Sequence, residues 1–169
     1  SATRRLAARL LEQGAAGFYL CGSTGEAPLL RVEERKLFVE WVVKEVAGQV
    51  PVMVQVGHTA PVLAVELAGH AARCGADAVS STLPPFYPYT AGQVAQYWTA
   101  LSCGCDVPFF GYVMHDLGGS RDLVHRWLDV IADVPNLAGL KFTNADPHQL
   151  ALLKTWENGR LNVLSGHDQ

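Results

Sequence analysis

Short apolar runs and longer amphipathic runs alternate along the whole chain, and that alternation leaves few folds open to it. Leu6 to Gln13 has helical spacing and stops at Gly14, and Gly17 to Cys21 (GFYLC) reads as a strand running into GSTGE. Arg31 to Val46 is predicted as a helix with Leu37, Phe38, Trp41, Val42 and Val46 on one side and the EERK charges at its start. Strands are expected at Pro51 to Val56, Ala76 to Ser81, Pro108 to Met114, Asn136 to Phe142 and Asn162 to Ser165. Between them lie helical patterns over Pro61 to Arg73 and Gln149 to Trp156. Two more helices open at Thr90, where Gln93 completes a capping box, and at Ser120, which would turn Leu123, Val124, Trp127, Leu128 and Ile131 inward.

Strands alternating with helices imply βαβ units and a parallel sheet. Units of about 30 residues recur without the internal switch of a two-halved Rossmann sheet, so an α/β fold of the (β/α)8 TIM-barrel type is expected. A complete barrel takes about 250 residues, and this chain has 169. The expectation is therefore an incomplete barrel, with six βα strands present and the first and last units missing. Residues 1–169 would form a single barrel domain that is a fragment of a larger parent chain. An open sheet of this kind exposes two unpaired edges, which favour aggregation.

Composition narrows the class of function. A net charge of −3 and no basic run longer than Arg4-Arg5 argue against nucleic acid as a partner. No stretch approaches the ~18 apolar residues of a membrane span, and the start carries no signal-peptide pattern. Cys21, Cys74, Cys103 and Cys105 are scattered without paired CxxC motifs, as expected of reduced thiols in a cytoplasmic protein.

The stretch NLAGLKFTNAD sets a lysine in an apolar strand. Period-two alternation puts Leu137, Gly139, Lys141 and Thr143 on one face and Ala138, Leu140 and Phe142 on the other. A low-dielectric site disfavours an ammonium and frees an amine, which attacks ketones to give an imine that can act as an electron sink. The same lysine could instead carry its head to the strand end or pair with an aspartate there. Parallel barrels keep their reactive groups at the C-terminal ends of the strands. Those ends collect Ser23, Thr24, Glu26, His58, Tyr87 or Tyr89, Tyr112, His115, Lys141, Thr143, His167 and Asp168. Tyr112, in PFFGYVM, could shuttle a proton to a developing alkoxide or be a core tyrosine with a satisfied hydroxyl. GSTGE suits an anionic carboxylate or phosphate through the Ser23 and Thr24 hydroxyls and backbone N–H groups, or is simply a glycine-built turn. It matches neither nucleotide-binding glycine motif.

As a set, GSTGE after an early strand, Tyr112 closing a later one and GLKFT on the next resemble the dihydrodipicolinate synthase/N-acetylneuraminate lyase family. VQVGH, the PPFYPY loop and the terminal LSGHD extend the likeness along the chain. These are class I pyruvate-dependent aldolases on a (β/α)8 barrel. The resemblance implies that Lys141 forms a Schiff base with pyruvate and that Tyr112 relays the proton. It also implies that Ser23 and Thr24 bind the carboxylate, with Thr143 and Gly166 lining the pocket. No cofactor or metal is called for, the partners are pyruvate and an aldehyde, and family members commonly form homotetramers. Their aromatic loop helps line a neighbour's site, so Tyr87 or Tyr89 could do so here.

The departures bear on substrate. Val113-Met114-His115 stands where the family usually has Asn-x-Pro, and Leu117 stands where synthases hold a second carboxylate with arginine. The leucine and the GLKFTNAD wording resemble the sialic acid lyase branch. Yet Asp168-Gln169 replaces the acidic pair that lyases use to hold a polyol tail, and the aromatic loop is a residue shorter than in either branch. The expectation is thus a pyruvate aldolase leaning to a 2-keto sugar acid such as N-acetylneuraminate, with dihydrodipicolinate synthase-type condensation or another 2-oxo acid aldolase as the alternative. Two readings from other classes stay open. One is a metal-dependent barrel hydrolase using His58, His115, His167 and Asp168, and the other is a catalytically silent remnant. The role of His115, whether an extra acid–base group or only a loop residue, is open as well.

Overall fold

Each strand sends alternate residues to opposite faces of a sheet, so one face can pack on helices while the other forms a barrel interior. In the computed structural model, which describes residues 1–118 and 120–167, six short strands are realised in this way. They are β1 (Phe18–Leu20), β2 (Val52–Gln55), β3 (Ala78–Ser81), β4 (Phe109–Val113), β5 (Leu137–Phe142) and β6 (Asn162–Ser165). All neighbours pair in parallel and in chain order, β1-β2-β3-β4-β5-β6. Helix α1 (Ala2–Glu12) precedes the sheet, and α2 (Val32–Val46), α3 (Pro61–Cys74), α4 (Ala91–Ser102), α5 (Arg121–Ile131) and α6 (Pro147–Thr155) fill the crossovers. This is the expected α/β architecture, an incomplete (β/α)8 barrel.

The core lies between the outer face of the sheet and the helices. Val54, Val79, Phe109, Leu140 and Phe142 from the strands meet Val42, Leu67, Trp98, Leu128 and Leu153 from the helices, all buried. Gly111 is required here because a Cβ would stand 2.9 Å from Leu140 Cδ2 and inside the Trp98 ring. Local signals mark the helix starts as read from the sequence. Thr90 Oγ1 accepts from the Gln93 N–H at 3.3 Å while Gln93 Oε1 accepts from the Thr90 N–H at 2.9 Å. Ser120 caps α5 through the Leu123 N–H at 3.3 Å.

Two predicted helix faces are corrected. On α2 the buried positions are Arg35, Val39, Val42 and Val46, whereas Leu37 and Trp41 face outward. On α5 Leu123 is exposed, and Val124, Leu128 and Ile131 make the inward stripe with Trp127 at its margin. The inward turn of Arg35 explains the shift on α2. Its Nη1 donates to the Gly57 carbonyl at 3.0 Å and its Nη2 to the Gln55 carbonyl at 2.7 Å, so a buried guanidinium ties α2 to the end of β2.

Candidate active site

Register brings the expected residues together. Tyr112 on β4 is paired with Lys141 on β5, and Lys141 in turn with Leu164 on β6. A register shift at Phe109/Phe110 makes Phe110, and not Gly111, the partner of Gly139, and from there the alternation sets Gly139, Lys141 and Thr143 on the concave face. Leu140 and Phe142 point to the helices, as the alternation requires.

Lys141 Nζ lies 4.0 Å from the centroid of the Tyr19 ring and 4.1 Å from that of Tyr112. The two rings meet edge to face with centroids 6.1 Å apart, an arrangement worth about 0.5–1.5 kcal/mol beyond area burial. They form a two-walled seat that fixes the direction of the amine. Thr143 Oγ1 donates to the Tyr112 oxygen at 3.2 Å. Tyr19 was not among the residues expected from the sequence. Its signal was present in GFYLC, where Tyr19 takes the opposite parity from Phe18 and Leu20.

Gly166 completes the seat from β6. Its N–H donates to the Phe142 carbonyl at 2.8 Å. A Cβ there would stand 2.7 Å from Lys141 Cε and would collide with Thr143 Oγ1. Gly166→Ala is therefore expected to displace both side chains and to lower stability by about 1–3 kcal/mol, the usual cost of an overpacked site. Denaturant unfolding measures it, and an unchanged midpoint would mean that the strand end has room to spare.

The surroundings separate the two phenols. Burial pushes the Tyr19 phenol well above the ordinary tyrosine value, only partly opposed by its hydrogen bond to Ser80 Oγ at 3.1 Å. Burial raises the Tyr112 phenol too, but the Thr143 hydrogen bond, the nearby Lys141 and the Ser23 hydroxyl outweigh it, and the net shift is downward. Groups that donate to an oxygen or carry positive charge beside it favour the phenolate. In an alkaline titration followed by near-UV absorbance, Tyr112→Phe is expected to remove an early step and Tyr19→Phe a late one. The reverse assignment would contradict this placement.

Beside the seat is a cleft of about 350 Å³ lined by Ser23, Gln55, Leu83, Tyr112, Met114 and His115, among others. A larger hollow of about 580 Å³ opens toward the N-terminal ends of the strands, between residues such as Met53, Ala78, Phe110 and Leu164. Its lining includes Tyr19 but not Tyr112, Ser23 or His115, which all line the smaller cleft, and Lys141 is on the lining of neither. The smaller cleft is the one that gathers polar side chains beside Tyr112. His115 stands at the cleft edge, its ring edge-on to Trp127 at 6.3 Å. Desolvation pushes its imidazole down, with Asp116 opposing.

Other expected residues do not join this group. Thr24 lies exposed in the turn after β1 and does not line the cleft. Tyr87 is exposed, and Tyr89 is half-buried against the core. Asp168 lies outside the described residues. His58 uses its Nδ1 to accept from the Ala60 N–H at 3.0 Å, which shapes the entry to α3. Among the described residues, His58, His115 and His167 do not converge as metal ligands, and the single grouping of three is Glu40, His70 and Cys74 on α2 and α3. Gln149 is a further residue that the sequence did not disclose. Its amide nitrogen donates to Asp116 at 2.6 Å and to Asp146 at 3.0 Å, and its Oε1 accepts from the Leu117 N–H at 3.1 Å. The loop bearing His115 is thereby tied to the start of α6.

The sequence profile of the Dihydrodipicolinate synthetase family matches residues 1–169. The chain belongs to this family. The N-acetylneuraminate lyase of Escherichia coli (strain SE11) is 30% identical over 167 residues, covering 98% of this chain and 56% of that protein. N-acetylneuraminate lyase from Mycoplasma synoviae superposes with a TM-score of 0.86 at 26% identity, over 99% of this chain and 56% of that one. The chloride-inhibited dihydrodipicolinate synthase from Acinetobacter baumannii, solved with pyruvate, gives 0.83 at 26% identity, over 97% and 56%. This Dihydrodipicolinate synthetase family chain therefore spans a little over half the length of the relatives it matches. No helix among its described residues is long and apolar enough to cross a membrane.

Proposed function

We propose that the chain carries the chemistry of a class I, imine-forming pyruvate aldolase, with Lys141 as the nucleophile and Tyr112 as the proton relay. The observation that carries the reading is the placement of Lys141 Nζ against the Tyr112 ring, with Thr143 bonded to the phenol oxygen. The family relationship and the pyruvate complex of the Acinetobacter baumannii synthase support it. The Lys141 amine adds to the C2 carbonyl of the 2-oxo acid, pyruvate in synthesis and the longer β-hydroxy keto acid in cleavage, and loss of water gives the imine. In the cleavage direction a β-hydroxyl surrenders its proton to the Tyr112 oxygen while the C–C bond electrons flow into the protonated imine. An aldehyde leaves, and the enamine is reprotonated and hydrolysed to pyruvate and free Lys141.

Ser23 and Thr24 would bind the pyruvate carboxylate, with Thr143 and Gly166 lining the pocket and Asp168 as a further substrate-binding residue. Of the turn hydroxyls, Ser23 has the stronger case, because it lines the cleft beside Tyr112. Tyr87 and Tyr89 would reach a neighbouring subunit of a homotetramer. The second substrate is read as the aldehyde part of a 2-keto sugar acid such as N-acetylneuraminate. The apolar Leu117 and the 30% identity to an N-acetylneuraminate lyase favour this reading.

Pyruvate release from N-acetylneuraminate, followed with a coupled dehydrogenase, tests the specificity. Steady turnover supports the lyase assignment. Dihydrodipicolinate formation without sialic acid cleavage would move the chain to the synthase branch. Neither activity from a folded chain would favour another 2-oxo acid aldolase or a silent remnant.

A further inference from the structure

The grouping of Glu40, His70 and Cys74 lies outside the cleft and plays no part in the imine chemistry. His70 and Cys74 stand one turn apart on α3, so their side chains share a face, and Glu40 reaches them from α2. His70 Nε2 lies 3.0 Å from Glu40 Oε1 and 3.5 Å from Cys74 Sγ, and all three ligand atoms fall within 4.8 Å of one another.

We propose that Glu40, His70 and Cys74 form a three-ligand site for a zinc-type divalent cation, with water in the fourth position, stapling α2 to α3. Zn–N bonds near 2.0–2.1 Å and Zn–S bonds near 2.3 Å in a tetrahedron put ligand atoms about 3.3–3.6 Å apart. The His70–Cys74 spacing of 3.5 Å already fits, the Glu40–His70 pair at 3.0 Å must open slightly, and Glu40 and Cys74 start within 4.8 Å of each other. One carboxylate and one thiolate balance the 2+ charge, and a neutral imidazole suits the borderline-soft metal. On binding, the Cys74 thiol gives its proton to solvent, and the His70 N–H that faces Glu40 from Nε2 is exchanged through solvent for one on Nδ1, which frees Nε2 to ligate.

The neighbouring carboxylate on α3 is engaged elsewhere. Glu66, one turn ahead of His70, pairs with Lys36 at 2.5 Å, and Lys36 also holds Glu33 at 3.1 Å. That arrangement leaves the fourth position to water rather than to a fourth side chain. Glu40 is exposed and the other two are half-buried, so the ion can enter from solvent. Its consequence is mechanical: a cation held by both helices joins two consecutive βα units and raises stability with the logarithm of free ion once that exceeds the dissociation constant.

The test is calorimetric titration of the folded chain with zinc chloride, with cobalt(II) as a spectroscopic probe. The expected result is one ion per chain, an upward shift of the unfolding temperature with zinc, and a thiolate-to-cobalt charge-transfer band. His70→Ala, His70→Gln and Glu40→Gln should each weaken binding by at least about tenfold, since even the outer-shell partners of metal ligands carry that much. Cys74→Ser should abolish the charge-transfer band while circular dichroism stays native. Two outcomes would overturn the site. One is no saturable uptake by the folded chain. The other is uptake that survives Cys74→Ser and His70→Gln, which would put the metal on other thiols such as Cys103.

Discussion

Replacing Lys141 by alanine is expected to abolish turnover of any 2-oxo acid substrate, a loss of at least about 10³-fold by comparison with other nucleophile deletions. The reason is chemical and not one of packing. An imine requires a primary amine at a fixed place, and Nζ is held over two rings, 4.0 Å from Tyr19 and 4.1 Å from Tyr112. No other lysine of the chain, Lys36, Lys44 or Lys154, lies on a strand. Lys141→Arg separates charge from nucleophilicity, because a guanidinium keeps the positive charge yet forms no imine. Both variants should be equally inactive and should fold like the parent by circular dichroism. Activity retained in Lys141→Arg would show that charge alone is used, and the imine mechanism would fall.

Tyr112→Phe is the second large effect. It keeps the ring, and with it the edge-to-face contact to Tyr19, but deletes the oxygen that accepts the Thr143 hydrogen bond. General acid–base groups contribute about 10²–10⁴-fold, and a loss of that size in kcat is expected with the pyruvate adduct on Lys141 still forming. Thr143→Val should cost less, since it leaves the phenol in place and removes only its donor. Near-parental kcat in Tyr112→Phe would assign proton transfer to another group. His115, which lines the same cleft, would be the first candidate.

What could be read from the sequence, and what could not, divides by the range of the interactions. Strand parity is local, so the placement of Gly139, Lys141 and Thr143 on one face was legible in AGLKFT. The caps at Thr90 and Ser120 were legible for the same reason. The faces of α2 and α5 were not, because an apolar stripe on a helix is broad and its centre depends on what the helix meets. Leu37, Trp41 and Leu123 satisfy the helical period and still face outward, while Arg35 turns in to reach the carbonyls of Gln55 and Gly57.

Within the site, Lys141 and Tyr112 announced themselves by motif, but the Tyr19 wall and the Gln149 brace depend on strands and loops that are distant in the chain. A tyrosine in a strand and a glutamine in a helix carry no distinguishing local signal. Both Ser23 and Thr24 were singled out, and only Ser23 lines the cleft.

The most direct measurement is borohydride trapping. The chain is incubated with pyruvate, reduced, digested, and searched by mass spectrometry for the modified peptide, with Lys141→Ala as control. A pyruvate adduct on Lys141 alone, absent from the variant, is the predicted result. A folded chain that gives no adduct, or an adduct on Lys36, Lys44 or Lys154 instead, would contradict the assignment of imine chemistry to this site.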